Sequence, residues 1–295
     1  MSTRRQTIVA VIGLGNWGAS LAAALNSAGL LAGRVHASHR INQAKANATQ
    51  KPIPGLAARI LWLCVPDAAI ASTAAWLAHE RSDLSGQLVV HSSGALDRSV
   101  LAAAAHAGAR TASIHPMMSF PTRRIVPQAG VRFAVETADD ATRQELFRLI
   151  RRLHGNPFAI QGTGKAMYHA GAMFASPLLV AALNAGVRCL QQAGIQEKEA
   201  LTLLCPMAAA TVANVQRRGL RRSFSGPIAR GDTATLKLHR EALASHPLMA
   251  HLYDALARLA AEDLLSDGLA IQAALETGAA KDNSASRRSR KQAGR

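Results

Sequence analysis

The feature that most constrains this chain lies at its start, where the apolar, β-branched run TIVAVI (residues 7–12) passes directly into Gly13-Leu14-Gly15-Asn16-Trp17-Gly18 and then into the Ala- and Leu-rich stretch Ala19 to Ala28. Strand, glycine turn and helix in that order form the opening unit of a dinucleotide-binding sheet. Gly13 permits the tight turn, Gly15 lets backbone approach a pyrophosphate, Gly18 lets helix and strand pack closely, and the helix N-terminus faces the anion. The predicted strand and helix on either side give a motif that would be weak alone its structural context.

The end of the second strand bears on which dinucleotide is bound. An NAD site carries an Asp or Glu about 20 residues beyond the glycines, to accept from the ribose 2′-hydroxyl. Here the first acidic residue is Asp67. The strand Arg34 to Ala37 ends instead in Ser38, His39 and Arg40, a hydroxyl, an imidazole and a bidentate guanidinium suited to a 2′-phosphate, so NADP(H) is the expected cofactor.

Further strands follow at Ile60 to Val65, Gln87 to His91 and Arg110 to Ile114, with a helical pattern over Ala68 to His79. Ligands in open α/β sheets lie beyond the carboxyl ends of the strands. Val65, Pro66 and Asp67, with Ser93 and Gly94 of the next turn, are therefore expected beside the cofactor. Asp67 reads first as a helix N-cap. His91, Ser92 and His115 converge by topology near the nicotinamide position, although each type also serves in turns and caps. Val131 to Glu136, a helix over Asp139 to His154 and Pro157 to Ile160 complete an α/β, doubly wound parallel sheet. The expected division is a Rossmann domain over 1–160, an all-helical domain over 161–275 and a basic disordered tail over 276–295.

From Gly162 onward strands disappear, and one long helix is predicted to run to a C-capping Gly194. Lys165 shares a helix face with Tyr168 and His169 by spacings of three and four. That cluster could supply a proton to a carbonyl during hydride transfer, or could be a surface Lys beside a half-buried Tyr and His. Further helices are expected over Glu197 to Gln216, Thr233 to Leu243 and Pro247 to Leu265. Between them, Gly226 to Thr233 offers Asp232 as an N-cap, with Arg230 and the amides at Thr233 able to hold a substrate carboxylate.

The net charge of +16 suggests nucleic acid at first sight. Residues 1–66, however, carry seven Lys/Arg and no acid, coinciding with the phosphate motif, and residues 281–295 carry six Lys/Arg against one acid. The middle of the chain is nearly balanced, so nucleic acid is the weaker explanation. The chain has three cysteines, Cys64, Cys189 and Cys205, which sit among apolar neighbours and read as buried thiols. No metal site is expected. Without about 18 consecutive apolar residues or a secretory pattern, the expectation is a cytoplasmic protein that does not enter the membrane.

Five motifs, GLGNWG, HSSGAL (91–96), HPMMSF (115–120), KAMYHAGAMFAS (165–176) and SGPIARGD (225–232), together resemble a family of Rossmann-like oxidoreductases with a characteristic C-terminal domain of unknown function. The likeness runs from Ile8 to about Leu275 and is similar, more distantly, to ketopantoate reductases, pyrroline-5-carboxylate reductases and β-hydroxyacid dehydrogenases. It implies NADP(H), a small carbonyl or imine substrate and a homodimer through the helical domain. One departure is Pro177, where the family tends to carry Asn. The reading is an NADP-dependent reductase of a small carbonyl or 2-oxo acid, ketopantoate-like, acting in an inter-domain cleft. Lys165 or His169 would supply the proton, His115 and Ser92 would line the nicotinamide, and Arg230, Asp232 and Thr233 would hold the substrate. The alternative is a non-catalytic NADP-binding sensor or scaffold.

Overall fold

The computed structural model describes residues 8–36, 55–265 and Ile271. Two compact units divide the chain, one up to Leu179 and one from Val180.

The first unit is built on a seven-stranded sheet in the order β2-β1-β3-β4-β5-β6-β7. Its strands are β1 (Val9–Ile12), β2 (Leu31–Val35), β3 (Ile60–Leu63), β4 (Leu88–His91), β5 (Arg110–Pro116), β6 (Arg132–Thr137) and β7 (Asn156–Ala159). The continuous apolar sequences of β1, β3 and β4 are explained by burial on both faces. Alternate residues feed two separate cores. Val9, Val11, Ile60, Trp62, Leu88 and Val90 pack with Leu21 and Leu25 of helix α1 (Asn16–Ser27) and with Leu146, Leu149 and Ile150 of helix α3 (Asp140–Arg152). On the opposite face, Ala10, Ile12, Leu61, Leu63 and Val89 pack with Ile70, Ala74 and Leu77 of helix α2 (Asp67–Glu80) and with the short helical turns over 98–106.

The chain leaves β1 for β2 on one side and returns to β3 on the other, so the switch point of the sheet lies at the carboxyl ends of β1 and β3. One strand departs from the parallel pattern. β6 runs antiparallel to β5, whereas β7 is again parallel to β6. A parallel crossover needs a dozen or more residues, usually a helix; the connection 117–131 holds Pro121, Pro127 and Gly130 and no helix, and simply turns the chain back. β7 lies at the sheet edge, with Pro157 inside it.

Helix α3 starts at Asp139, whose side chain accepts from Thr142 N at 2.8 Å, and ends with Arg151 and Arg152 at its negative dipole end. It stops short of the predicted His154, which adopts φ 61° and leads into Gly155. A second difference concerns the helix predicted from Gly162 to Gly194. It divides into α4 (Lys165–Ala175) and α5 (Pro177–Gln192), with Ser176 at φ −132°, ψ −89° between them. Proline has no N–H to give an upstream carbonyl but suits a first helical position, so Pro177 ends one helix and starts the next. Within the stretch 162–192 an 18-residue window reaches a mean hydropathy of 1.6, apolar enough by length and composition to cross a membrane. Its two helices of 11 and 16 residues are each shorter than the roughly 20 residues that a straight span requires.

The second unit is helical, with α6 (Glu197–Arg218), α7 (Thr233–Leu243) and α8 (Pro247–Leu264). Leu236, Ala257, Ala261 and Ile271 form its small core, with Ile228, Tyr253 and Leu265 against them. Much of its apolar surface is uncovered: α6 buries only Ala200 and exposes Leu201, Leu203, Met207 and Val212. The expectation of three buried thiols is corrected here. Cys64 is partly covered at the end of β3, but Cys189 on α5 and Cys205 on α6 are exposed, because these helices have no neighbour over that part of their surface among the described residues.

Candidate functional site at the carboxyl edge of the sheet

The glycine turn has the division of labour that its spacing suggests. Gly13 adopts φ +96°, and a β-carbon on it would stand 2.6 Å from the Cys64 carbonyl oxygen. A β-carbon on Gly18 would stand 1.9 Å from the Gly13 oxygen. A β-carbon on Gly15 would meet nothing within 4 Å. Gly13 and Gly18 are thus required by packing, and Gly15 leaves the backbone approachable at the point where α1 begins. No side chain caps α1 and no acidic residue lies in its first turn, so its leading N–H groups and positive dipole end face outward, as a phosphate cradle requires.

Neighbouring turns are tied to this one. Asn16 Nδ2 donates to the Phe120 carbonyl at 2.8 Å, and Trp17 Nε1 donates to Ser92 Oγ at 2.7 Å. Trp62 Nε1 donates to the same hydroxyl oxygen at 2.8 Å. Ser92 is therefore the shared acceptor of two indoles and holds the glycine turn against the end of β4. Trp17 also packs on Phe120, Phe133 and Trp62, and Leu14 packs against the core. Burial pushes the Cys64 thiol beneath them up to about 12. Ser38, His39 and Arg40 lie outside the described residues.

At the ends of β3 and β4 the expected cap is corrected. Pro66 holds the cap position of α2, and Asp67 is the first helical residue, its Oδ2 accepting from Ser93 Oγ at 2.8 Å. Ser93 Oγ in turn accepts from the backbone of Ala95 and Leu96 at 3.2 and 3.0 Å. Buried His91 receives Ser93 N–H on Nδ1 at 3.1 Å and has Nε2 3.1 Å from the Asp97 carbonyl, so its partners require the neutral ring with the proton on Nε2. Burial, helped by the Lys165 cation, holds its pKa down to about 4.

Lys165, at the start of α4, has no exposed surface. Its Nζ donates to the Ser93 carbonyl at 2.8 Å and to Ser113 Oγ at 2.5 Å. Burial lowers its pKa to about 8, against the opposing pull of Glu136, Asp67 and Asp97. Glu136 is itself buried and paired with Arg98 through both guanidinium and backbone N–H, at 2.6 and 2.7 Å. One turn further along α4, the Tyr168 hydroxyl lies 2.8 Å from His115 Nδ1. The His115 ring is edge-on to Tyr168 and to His169, with centroids 5.5 and 5.6 Å away. Both imidazoles lean on Gly94, where a β-carbon would stand 2.3 Å from His169 Cδ2 and 3.0 Å from His115 Nε2. His115 is held down to about 4, chiefly by burial, and burial pushes Tyr168 up to about 12.

The structure thus brings Asp67, Ser93, Gly94, His115, Lys165 and His169 together within the first unit, and Ser92 with Asn16 and Trp17 beside them. Ser113 and Glu136 were not singled out in the sequence. A serine in the strand RTASIHP and a glutamate in RFAVET carry no motif; the usable signal was a polar residue on a strand face that the sheet must bury. In the second unit, Asp232 caps α7 by accepting from Thr235 N and Oγ1 at 3.0 and 2.7 Å, which lower its pKa. Arg230 and Thr233 beside it are exposed.

Residues 2–116 match the model of a Rossmann-like domain, and residues 131–260 match Domain of unknown function (DUF2520). No curated protein matches the sequence. Among solved structures the chain is similar to protein TM1727 from Thermotoga maritima, with a TM-score of 0.65 and 22% identity over 86% of this chain and 97% of that one. It is similar to a candidate NADP oxidoreductase, BF3122 from Bacteroides fragilis, with a TM-score of 0.66 and 20% identity over 86% and 97% of the two chains. An imine reductase from Myxococcus stipitatus, solved with NADP+, gives a TM-score of 0.61 and 17% identity over 90% and 98%. At these identities the likenesses establish the fold. A match to a Rossmann-like domain is thus followed along the chain by a match to DUF2520, the pairing that its five motifs resemble.

Proposed function

We propose that this protein binds NADP(H) and reduces a small carbonyl compound, with 2-oxo acids of the ketopantoate type as the first substrate class. The observation that carries the reading is the packing of Gly13 and Gly18 around an uncovered Gly15 at the sheet's switch point, beside the buried Lys165 and the half-buried His115 and Tyr168. The fold is also that of neighbours solved with NADP+ or NADPH. The backbone of Gly13 to Gly18 would hold the pyrophosphate, and Ser38, His39 and Arg40 the 2′-phosphate. Val65, Pro66, Asp67, Ser93 and Gly94 would border the cofactor. When bound, it would supply hydride. The chain's own part is to orient the carbonyl and provide one proton, from Lys165, His169 or His115, all of which stand at the same edge.

The test is fluorescence titration with NADPH and with NADH, using Trp17 as an intrinsic reporter, repeated on Arg40→Ala. A preference for NADPH that Arg40→Ala removes supports the reading, and an absence of binding by either nucleotide overturns it. A homodimer is part of the same proposal. Leu248, Leu252, Leu256 and Leu259 form an exposed stripe on one side of α8 at helical spacing, which a second copy would cover.

A further inference from the structure

Of the groups able to move a proton at this site, two are differently placed than their chemistry alone suggests. Lys165 is wholly buried and its Nζ is committed to the Ser93 carbonyl and Ser113 Oγ. Those bonds clamp the turn after β4 to the middle of β5. His115 is only partly buried, its Nδ1 faces the Tyr168 hydroxyl at 2.8 Å, and its Nε2 lies over Gly94, the one residue of that turn without a side chain. Tyr168 is half-buried and so reaches toward solvent.

Resting on the reductase reading above, we propose that Tyr168 and His115 form the proton relay of this site, with Tyr168 donating to Nδ1 and His115 Nε2–H presented over Gly94, and that Lys165 is a positioning residue. The bound dinucleotide would supply hydride to the carbonyl carbon, and the carbonyl oxygen, left with the former π pair, would then need one proton. That oxygen takes the proton from Nε2: the O–H bond forms, the Nε2–H bond breaks, and the Tyr168 proton passes to Nδ1. The ring resets when Nδ1 returns that proton to the tyrosinate and Nε2 takes one from water, so the net proton comes from solvent.

The electrostatics agree with this arrangement. The charges and rings around His115 are Lys165, His169 and Tyr168, and burial keeps His115 neutral near pH 7, with one N–H to offer. Tyr168 is pushed up to about 12 and stays protonated as a donor. The same partial burial lessens solvent competition for the Tyr168–Nδ1 hydrogen bond.

Nitrogen-15 NMR of the imidazoles in the full chain, with and without Tyr168→Phe, tests the pair directly. The expected result is a neutral Nε2–H tautomer at His115 in the wild type that becomes a mixture in Tyr168→Phe. NADPH oxidation with ketopantoate as the probe should show kcat lowered about 100-fold in Tyr168→Phe with KM kept, the size expected of a lost general acid. Lys165→Met should raise the titration of the His115 resonance, because a nearby cation is removed. A His115 ring protonated on Nδ1 in the wild type, or full kcat in Tyr168→Phe, overturns the relay. Absence of turnover with any 2-oxo acid beside a correct His115 tautomer instead overturns the substrate reading, so the two failures are distinct.

Discussion

Gly94 shows how much of this site depends on a missing β-carbon. Because that atom would stand 2.3 Å from His169 Cδ2, Gly94→Ala must displace His169 and with it the His115 contact. The expected cost is about 1 to 3 kcal/mol by urea denaturation, the usual range for overpacking, with loss of the nitrogen-15 signature of the His115–Tyr168 pair. The buried His91 and the partly buried His115 also set an acid limit. His91 and His115 titrate near 4 in the fold against 6.5 in the unfolded chain, so below 6.5 the unfolded state binds more protons. Stability is then complete above about 6.5 and falls as pH drops toward 4, by up to roughly 1.4 kcal/mol per pH unit for each ring. Denaturation midpoints at pH 7, 6 and 5 check the slope, and His91→Gln should reduce it by half. At this scale the sequence shows which residues meet but not their roles. Ser92, a candidate for chemistry by its neighbours, accepts from two indoles that lie 75 and 30 residues away in sequence, and no local pattern encodes such a bond.

Helices and strands were legible where periodicity and caps coincide. α3 follows from Asp139, Thr142 and the apolar spacing of Leu146, Leu149 and Ile150. Leu146→Ala, at a wholly buried position between α3 and the sheet, should cost about 2 to 5 kcal/mol in chemical denaturation. The sequence carries the helix past its true end because His154 occupies a left-handed conformation that is usually taken by glycine. His154→Gly should therefore raise the midpoint, by up to about 1 kcal/mol. The break at Ser176 is hidden in the sequence for a related reason. A proline inside an apolar run is compatible with a kink or with a new first turn, and only packing decides which. The direction of β6 was likewise invisible, since an apolar strand reads the same both ways.

For the whole molecule, the order of elements and the strand–turn–helix opening were sufficient to specify a dinucleotide-type sheet followed by a helical half. Charge was less informative, because most of the excess of +16 falls in two places, +7 over residues 1–66 and +5 over residues 281–295, that call for different explanations. What remains to be covered is the apolar surface of the helical unit. If a second copy covers α8, light scattering coupled to size exclusion should return twice the 31.0 kDa chain mass, and Leu252→Lys with Leu256→Lys should return the monomer. A monomeric wild type would remove the homodimer from the reading.

The outer edge of the sheet has its own defence. Asn156 and Ile160 donate their N–H groups to the Val131 and Val135 carbonyls, at 2.7 and 3.0 Å, so the alternate residue Pro157 turns its nitrogen toward the open side. A strand arriving there finds no donor at the centre of β7, and ladder growth from one molecule to the next is interrupted at its first step. Protection of this one edge would then reside in a single imino acid far from any chemistry, and Pro157→Thr would turn the border at β7 into a template.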